Sequence, residues 1–137
     1  MKVKFVPTDV VIRIHDDQIQ AYGGSPGLRD RGLLDSALHM PRAQFDGKFL
    51  HPTIGAMAAA YGFHLCKNHA FVDGNKRTAY TVMCLFLELN GMMLKSDSAE
   101  HDEIILAVSD GSMSKNAFIE WVEQTVQMLL PEHLESD

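Results

Sequence analysis

The chain is poor in cations, in cysteine and in unbroken apolar stretches, and each shortage removes a class of function. Twelve Lys and Arg stand against eighteen Asp and Glu, a formal charge of -6. Affinity for nucleic acid comes largely from neutralising phosphates with basic side chains, so direct nucleic-acid binding is a poor reading. A local cluster of cations is still compatible with the balance. Two cysteines, Cys66 and Cys84, both lie inside apolar periodic segments, which predicts buried free thiols rather than a disulfide framework. No run of about 18 apolar residues is available to span a bilayer. The start Met1-Lys2-Val3-Lys4-Phe5 is not followed by a signal-type apolar block. The expectation is a cytoplasmic protein without a membrane partner.

Strict apolar-polar alternation is also nearly missing, which argues against a sheet-based fold. What is present is ordinary for a globular protein: 46% hydrophobic and 22% charged residues in 137. That length fits one domain, residues 1–137, able to bury roughly 65–70% of its unfolded surface. Breaks fall at Gly23-Gly24-Ser25-Pro26-Gly27, Pro41, Gly91 and Gly111. Between them the period is helical. Ile54, Met57, Ala58, Tyr61 and Leu65 form one stripe after Pro52, and Ala79, Val82, Met83, Phe86 and Leu87 form another that stops at Asn90-Gly91. Further stripes are Val11, Ile14 and Ile19 behind a Thr8 cap; Leu33, Leu34, Ala37 and Leu38 before Pro41; and Ile104, Ile105 and Val108. The last comprises Phe118, Trp121, Val122, Val126 and Leu129, with Ser114 as cap and Pro131 as stop. The prediction is an all-α bundle of five to seven helices on one core, with an active-site loop between the two central helices.

That loop is His69-Ala70-Phe71-Val72-Asp73-Gly74-Asn75-Lys76-Arg77-Thr78-Ala79. A helix N-terminus carries unpaired N–H groups and partial positive charge, so Lys76 and Arg77 in a first turn cost a few tenths of a kcal/mol each. A bound anion would offset that cost. Gly74 can take positive φ and admit a phosphate close to the backbone. Arg77 can grip phosphate oxygens in a bidentate fork, while Lys76 acts as a point charge. Asp73 fits either a Mg²⁺ ligand or a helix cap paired with the cations. His69, with an ordinary pKa of about 6.5, suits a general base or a structural position. Phe71 reads as an apolar anchor. The glycine-rich run from Tyr22 to Gly27 lacks the Lys-Ser/Thr sequel of a phosphate loop and reads as a structural turn that Arg29 and Asp30 tie to the next helix. His51 reads as a loop or cap residue. His64 and His69 are five apart without cysteine partners, so zinc chemistry is a poor fit.

Taken together, the segment resembles the Fic motif His-x-Phe-x-(Asp/Glu)-Gly-Asn-x-Arg. Upstream, Tyr22-Gly23-Gly24-Ser25-Pro26-Gly27-Leu28-Arg29-Asp30 and Gly32-Leu33-Leu34-Asp35-Ser36-Ala37 resemble the amino-terminal portion of death-on-curing (Doc) toxins, and the similarity covers most of the chain from about Thr8 to the last helix. The resemblance implies His69 as the base that activates a target hydroxyl, Asp73 as the Mg²⁺ ligand, and Gly74, Asn75 and Arg77 as holders of nucleotide phosphates, with Lys76 beside them. AMP-transferring Fic proteins usually carry Gly where Lys76 stands and a second Arg where Tyr80 stands. Lys76 without that Arg is what Doc proteins look like, whose chemistry is similar to that of kinases, with ATP turned so that its γ-phosphate meets the hydroxyl. Gly74 follows the general Fic motif, where the Doc archetype tolerates Ala.

The expected function is therefore that of a toxin of a type II toxin-antitoxin system, a Mg²⁺- and ATP-dependent phosphotransferase acting on a protein of the translation machinery such as elongation factor Tu. AMP transfer is the alternative, and a nucleotide- or partner-binding module without turnover is the second. No Ser/Thr-x-x-x-Glu-Gly/Asn autoinhibitory helix is found, so control is expected in trans, through a Phd-like antitoxin whose terminal segment docks as an amphipathic helix.

Overall fold

A computed structural model describes residues 2–95 and 97–129 of the chain. Six helices carry the fold: α1 (Thr8–Tyr22), α2 (Arg31–His39), α3 (Ile54–Asn68), α4 (Asn75–Leu89), α5 (Ser98–Asp110) and α6 (Lys115–Thr125). This is the expected helical architecture. Helix α3 is its axis, packed against α2, α4, α5 and α6. Its composition explains why. Gly55, Ala56, Ala58, Ala59, Ala60 and Gly62 are all buried, and such small side chains let neighbouring helices approach from several sides. Thr53 starts the helix by accepting a hydrogen bond from the Ala56 N–H at 3.0 Å.

Both central stripes face the core as their spacing predicts. Met57, Ala58, Tyr61 and Leu65 of α3 and Ala79, Val82, Met83, Phe86 and Leu87 of α4 are buried in one hydrophobic cluster, with Ile54 at its edge. Phe86 stands between Tyr61 at 5.0 Å and Phe5 at 5.9 Å between ring centroids. The Tyr61 hydroxyl accepts the Val6 N–H at 3.0 Å, and Asn90 both accepts from and donates to the backbone of Lys4. The extended segment before α1 is thereby fastened to the end of α4.

Two expectations at helix ends are corrected. Pro7, not Thr8, occupies the cap position of α1, and no side chain caps that end. Helix α6 begins at Ser114 as expected but stops at Thr125. Val126–Met128 instead form strand β4, antiparallel to β3 (Met92–Leu94). The stripe of Phe118, Trp121 and Val122 runs on to Val126 at helical spacing, but a β-branched residue suits an extended ribbon as well, and pairing with β3 decides it. The predicted stop, Pro131, lies outside the described residues. A second short ribbon, β1 (Gln44–Phe45) with β2 (Lys48–Phe49), precedes α3. Cys66 and Cys84 are free, Cys66 buried and Cys84 half-buried against the Tyr80 hydroxyl.

His51 and His64 belong to the packing. The Nδ1 of His51 and the Nε2 of His64 are buried without hydrogen-bond partners. Burial, then the neighbouring Lys115 charge, lowers the pKa of each, that of His64 to about 4. Both rings are therefore neutral in the folded state near pH 7. A base whose folded pKa lies below its unfolded value of 6.5 contributes full stability above that value. As pH falls the unfolded chain takes up the proton first, so stability should drop between pH 6.5 and about 4. Urea unfolding across that range is expected to show the decline, and His64→Gln should flatten it. An unchanged slope would remove His64 as the cause.

Candidate active site

The loop between α3 and α4 is held in place from three directions. Helix α3 ends in His69, whose backbone is left-handed at φ 51°, ψ 48°. A residue with a Cβ pays roughly 1–2 kcal/mol to adopt that conformation. Arg29 stabilises it, its Nε donating to the His69 carbonyl at 2.8 Å. The backbone N–H groups of Arg29 and Asp30 both donate to the Ala70 carbonyl, at 2.7 and 3.0 Å, and that of Val72 to the Gly27 carbonyl at 3.0 Å. Asp30 also caps α2 through the Leu33 N–H. Asp30 thus ties the Gly-rich turn to α2 as expected, whereas Arg29, expected to do the same, ties it to the end of α3 and the loop that follows.

Phe71 is the apolar anchor, 2% exposed. His15 of α1 stacks on it, ring centroids 3.9 Å apart and planes within 9°. Because a carbonyl can only accept, the Nε2–H of buried His15 donates to the Asp73 carbonyl, at 2.7 Å. Asn75 is spent on the same loop. Its Oδ1 accepts the Phe71 N–H at 3.1 Å and its Nδ2 donates to the Phe71 carbonyl at 3.0 Å. Its amide therefore braces the loop, and what Asn75 can offer an anion is its backbone N–H at the start of α4.

Asp73 turns its carboxylate outward. Oδ2 accepts from the Ser25 N–H at 3.1 Å and Oδ1 from the Gly74 N–H at 2.9 Å. Those two bonds, Ser25 first, hold the carboxyl below its ordinary pKa, so it is ionised near neutral pH. The approach of the glycine-rich run is so close that a Cβ on Gly24, whose φ is +114°, would lie 2.8 Å from Oδ2. Gly74 starts α4 at φ +76°. The positive φ expected for it is what lets the loop turn sharply into the helix.

These features converge on one cleft of about 560 Å³ lined by Tyr22, Gly23, Gly24, Cys66, His69, Val72, Asp73, Gly74, Asn75, Lys76, Arg77 and Ser109. Of the residues singled out in the sequence motif, His69, Asp73, Gly74, Asn75, Lys76 and Arg77 border it, while Phe71 is buried and does not line it. His69, Asp73, Lys76 and Arg77 are exposed. The first turn of α4 has no acidic residue, and among the described residues neither Lys76 nor Arg77 makes an ion pair. Burial raises the pKa of the Cys66 thiol, which disfavours its thiolate. A smaller cavity of about 230 Å³ continues past Lys76 and Arg77 between α4 and α5. There, half-buried Tyr80 donates its hydroxyl proton to His101 Nδ1 at 2.9 Å, since His101 Nε2–H donates to the Lys95 carbonyl at 2.9 Å. Burial pushes the Tyr80 pKa up, leaving a neutral phenol at this position.

The sequence profile of the Fic/DOC family matches residues 5–87. The chain belongs to that family. Among Fic/Doc proteins it is 46% identical over 77 residues to "Toxin Doc" of Mycolicibacterium smegmatis, covering 56% of this chain and 59% of that protein. It is 29% identical over 112 residues to "Protein kinase doc" of Escherichia phage P1, covering 82% of this chain and 87% of that one. The Fic/Doc motif, His69 to Arg77, occupies the cleft described above.

Two contributions escaped the sequence reading: His15, and the glycine-rich run as a wall of the site. A signal for His15 existed, since it follows Val11 by one helical turn and so falls on the apolar side of α1. Strain at position 69 leads to a test. His69→Gly should raise the unfolding free energy by up to about 1 kcal/mol by relieving the left-handed backbone. Denaturant unfolding of this variant measures the effect, and a loss of stability would mean that the imidazole has a structural role.

Proposed function

We propose that the protein is a Doc-type toxin and a phosphotransferase that moves the γ-phosphoryl group of ATP to a hydroxyl of a protein target, of the translation machinery such as elongation factor Tu. The observation that carries this reading is one cleft holding two cations that make no ion pair among the described residues, the N–H groups of a helix start, an ionised carboxylate and an outward histidine. A polyphosphate matches the first two features. Mg²⁺ matches the third, because it takes one or two carboxylates together with substrate phosphates. Among the described residues no cluster of three or more potential ligands exists, which favours such a shared ion over a cage made by protein alone. Asp73 would hold it, and its chemistry is to neutralise phosphate charge.

His69 would accept the proton of the target hydroxyl as its oxygen bonds to the γ-phosphorus and the bond to the bridging oxygen of ADP breaks. Arg77 and Lys76 would stabilise charge on the transferring oxygens. Phosphoryl rather than AMP transfer is supported by Tyr80: a neutral phenol committed to His101 stands where AMP-transferring relatives carry a second Arg clamp. The name "Protein kinase doc" of the phage relative points the same way. A toxin of this kind implies an antitoxin partner acting in trans and a cytoplasmic site of action. No helix among the described residues is long and apolar enough to cross a membrane.

Incubation with cell extract and ATP labelled at the γ position should label a protein, whereas label at the α position should not transfer. Transfer of α label instead would make AMP transfer correct, and nucleotide binding without any product would leave a binding module. His69→Ala and Arg77→Ala should each reduce transfer by about 10²–10⁴-fold.

A further inference from the structure

Helix α1 lends the site a face of its own. His15, Ile19 and Tyr22 are spaced i, i+4 and i+7, which brings them to one side of a helix. His15 bonds to the Asp73 carbonyl. Ile19 lies where a Cβ on Gly24 or on Gly74 would meet its Cδ1, at 3.1 and 3.2 Å respectively. Tyr22, the last residue of the helix, is 65% exposed and lines the cleft. The Arg77 guanidinium carbon stands 4.7 Å from the centre of its ring.

Arg77 needs a holder. It sits in the first turn of α4, where the helix dipole disfavours a cation, and among the described residues no carboxylate pairs with it. A carboxylate would steady it but would also compete with an incoming phosphate. The face of an aromatic ring attracts a guanidinium without carrying a charge, and it leaves all five N–H donors at the edge of the plane free to bond. Tyr22 therefore fixes the fork over the cleft while keeping it available.

We propose that Tyr22 is a positioning residue for the phosphate site, acting through Arg77 by a cation–π contact. The inference rests on the phosphate-binding role proposed above for Arg77. Its effect is on binding of the phosphates themselves, not of the base or the protein target.

Calorimetric titration with inorganic tripolyphosphate in the presence of Mg²⁺, repeated with ATP, tests this. Tyr22→Leu, which keeps apolar bulk but removes the π face, should weaken both ligands by roughly three- to tenfold. Tyr22→Phe and Tyr22→Trp should restore affinity to within about twofold of the native protein. In an Arg77→Ala background Tyr22→Leu should add no further loss, because the contact is already gone. Thermal melting of each variant checks the fold, and the exposure of Tyr22 predicts unchanged curves. Weakening of ATP alone would mean that the ring stacks on the base, and overturns the proposal. So would independent, additive losses from the two substitutions, or tripolyphosphate affinity that depends on Arg77 but not on Tyr22. If the native protein bound neither ligand, the phosphate reading itself would fall and this inference with it.

Discussion

The peptide between Asp73 and Gly74 is where the site is made rigid. Its carbonyl is taken by His15 and its N–H by the Asp73 carboxylate, whose other oxygen takes the N–H of Ser25. Beneath it Phe71 lies between the His15 ring and the Asn75 amide. These hydrogen bonds tie the loop to α1, to the glycine-rich run and to the start of α4. The start of α4 lines the cleft, and among the described residues its cations make no ion pair. A site whose work is positioning and charge stabilisation needs that immobility more than it needs reactive groups.

His69 sits at the end of α3 with its side chain exposed, and its backbone is tied by Arg29 in a conformation that glycine would adopt more easily. The cations Lys76 and Arg77 line the same cleft, unpaired among the described residues. Strain and unpaired like charge both cost folding energy, and both sit at the cleft while the core beneath is closely packed. Such a distribution marks a site kept at the expense of stability. The two neutral histidines, buried His51 and half-buried His64, do not line the cleft.

The members of the Fic/Doc motif divide the labour. Asn75 and Phe71 build the loop, Gly74 turns it, and His69, Asp73, Lys76 and Arg77 face outward. The neighbouring Tyr80 is equally informative. With its hydroxyl committed to His101 it offers bulk and a ring instead of a charge, so the region beyond Arg77 is lined largely by apolar side chains.

Much of this was readable from the chain by itself. Helices α3 and α4 followed from apolar residues recurring every three to four positions, since burial of one face needs only local periodicity. The motif from His69 to Arg77 was legible because its residues are contiguous and the oddity of cations at a helix start is a local electrostatic fact. Tertiary structure alone decided the rest. His15 and Asp73 are 58 residues apart and Ser25 and Asp73 are 48 apart, and no period or spacing encodes such a meeting. The end of α6 was likewise fixed from outside, when β3 offered Val126–Met128 hydrogen-bond partners that the helix could not. The sequence determined which residues carry charge, turn or apolar surface. Only packing of α1 against α4 determined that a histidine and a tyrosine from a distant helix would brace them, because a contact across the fold depends on where whole helices come to rest.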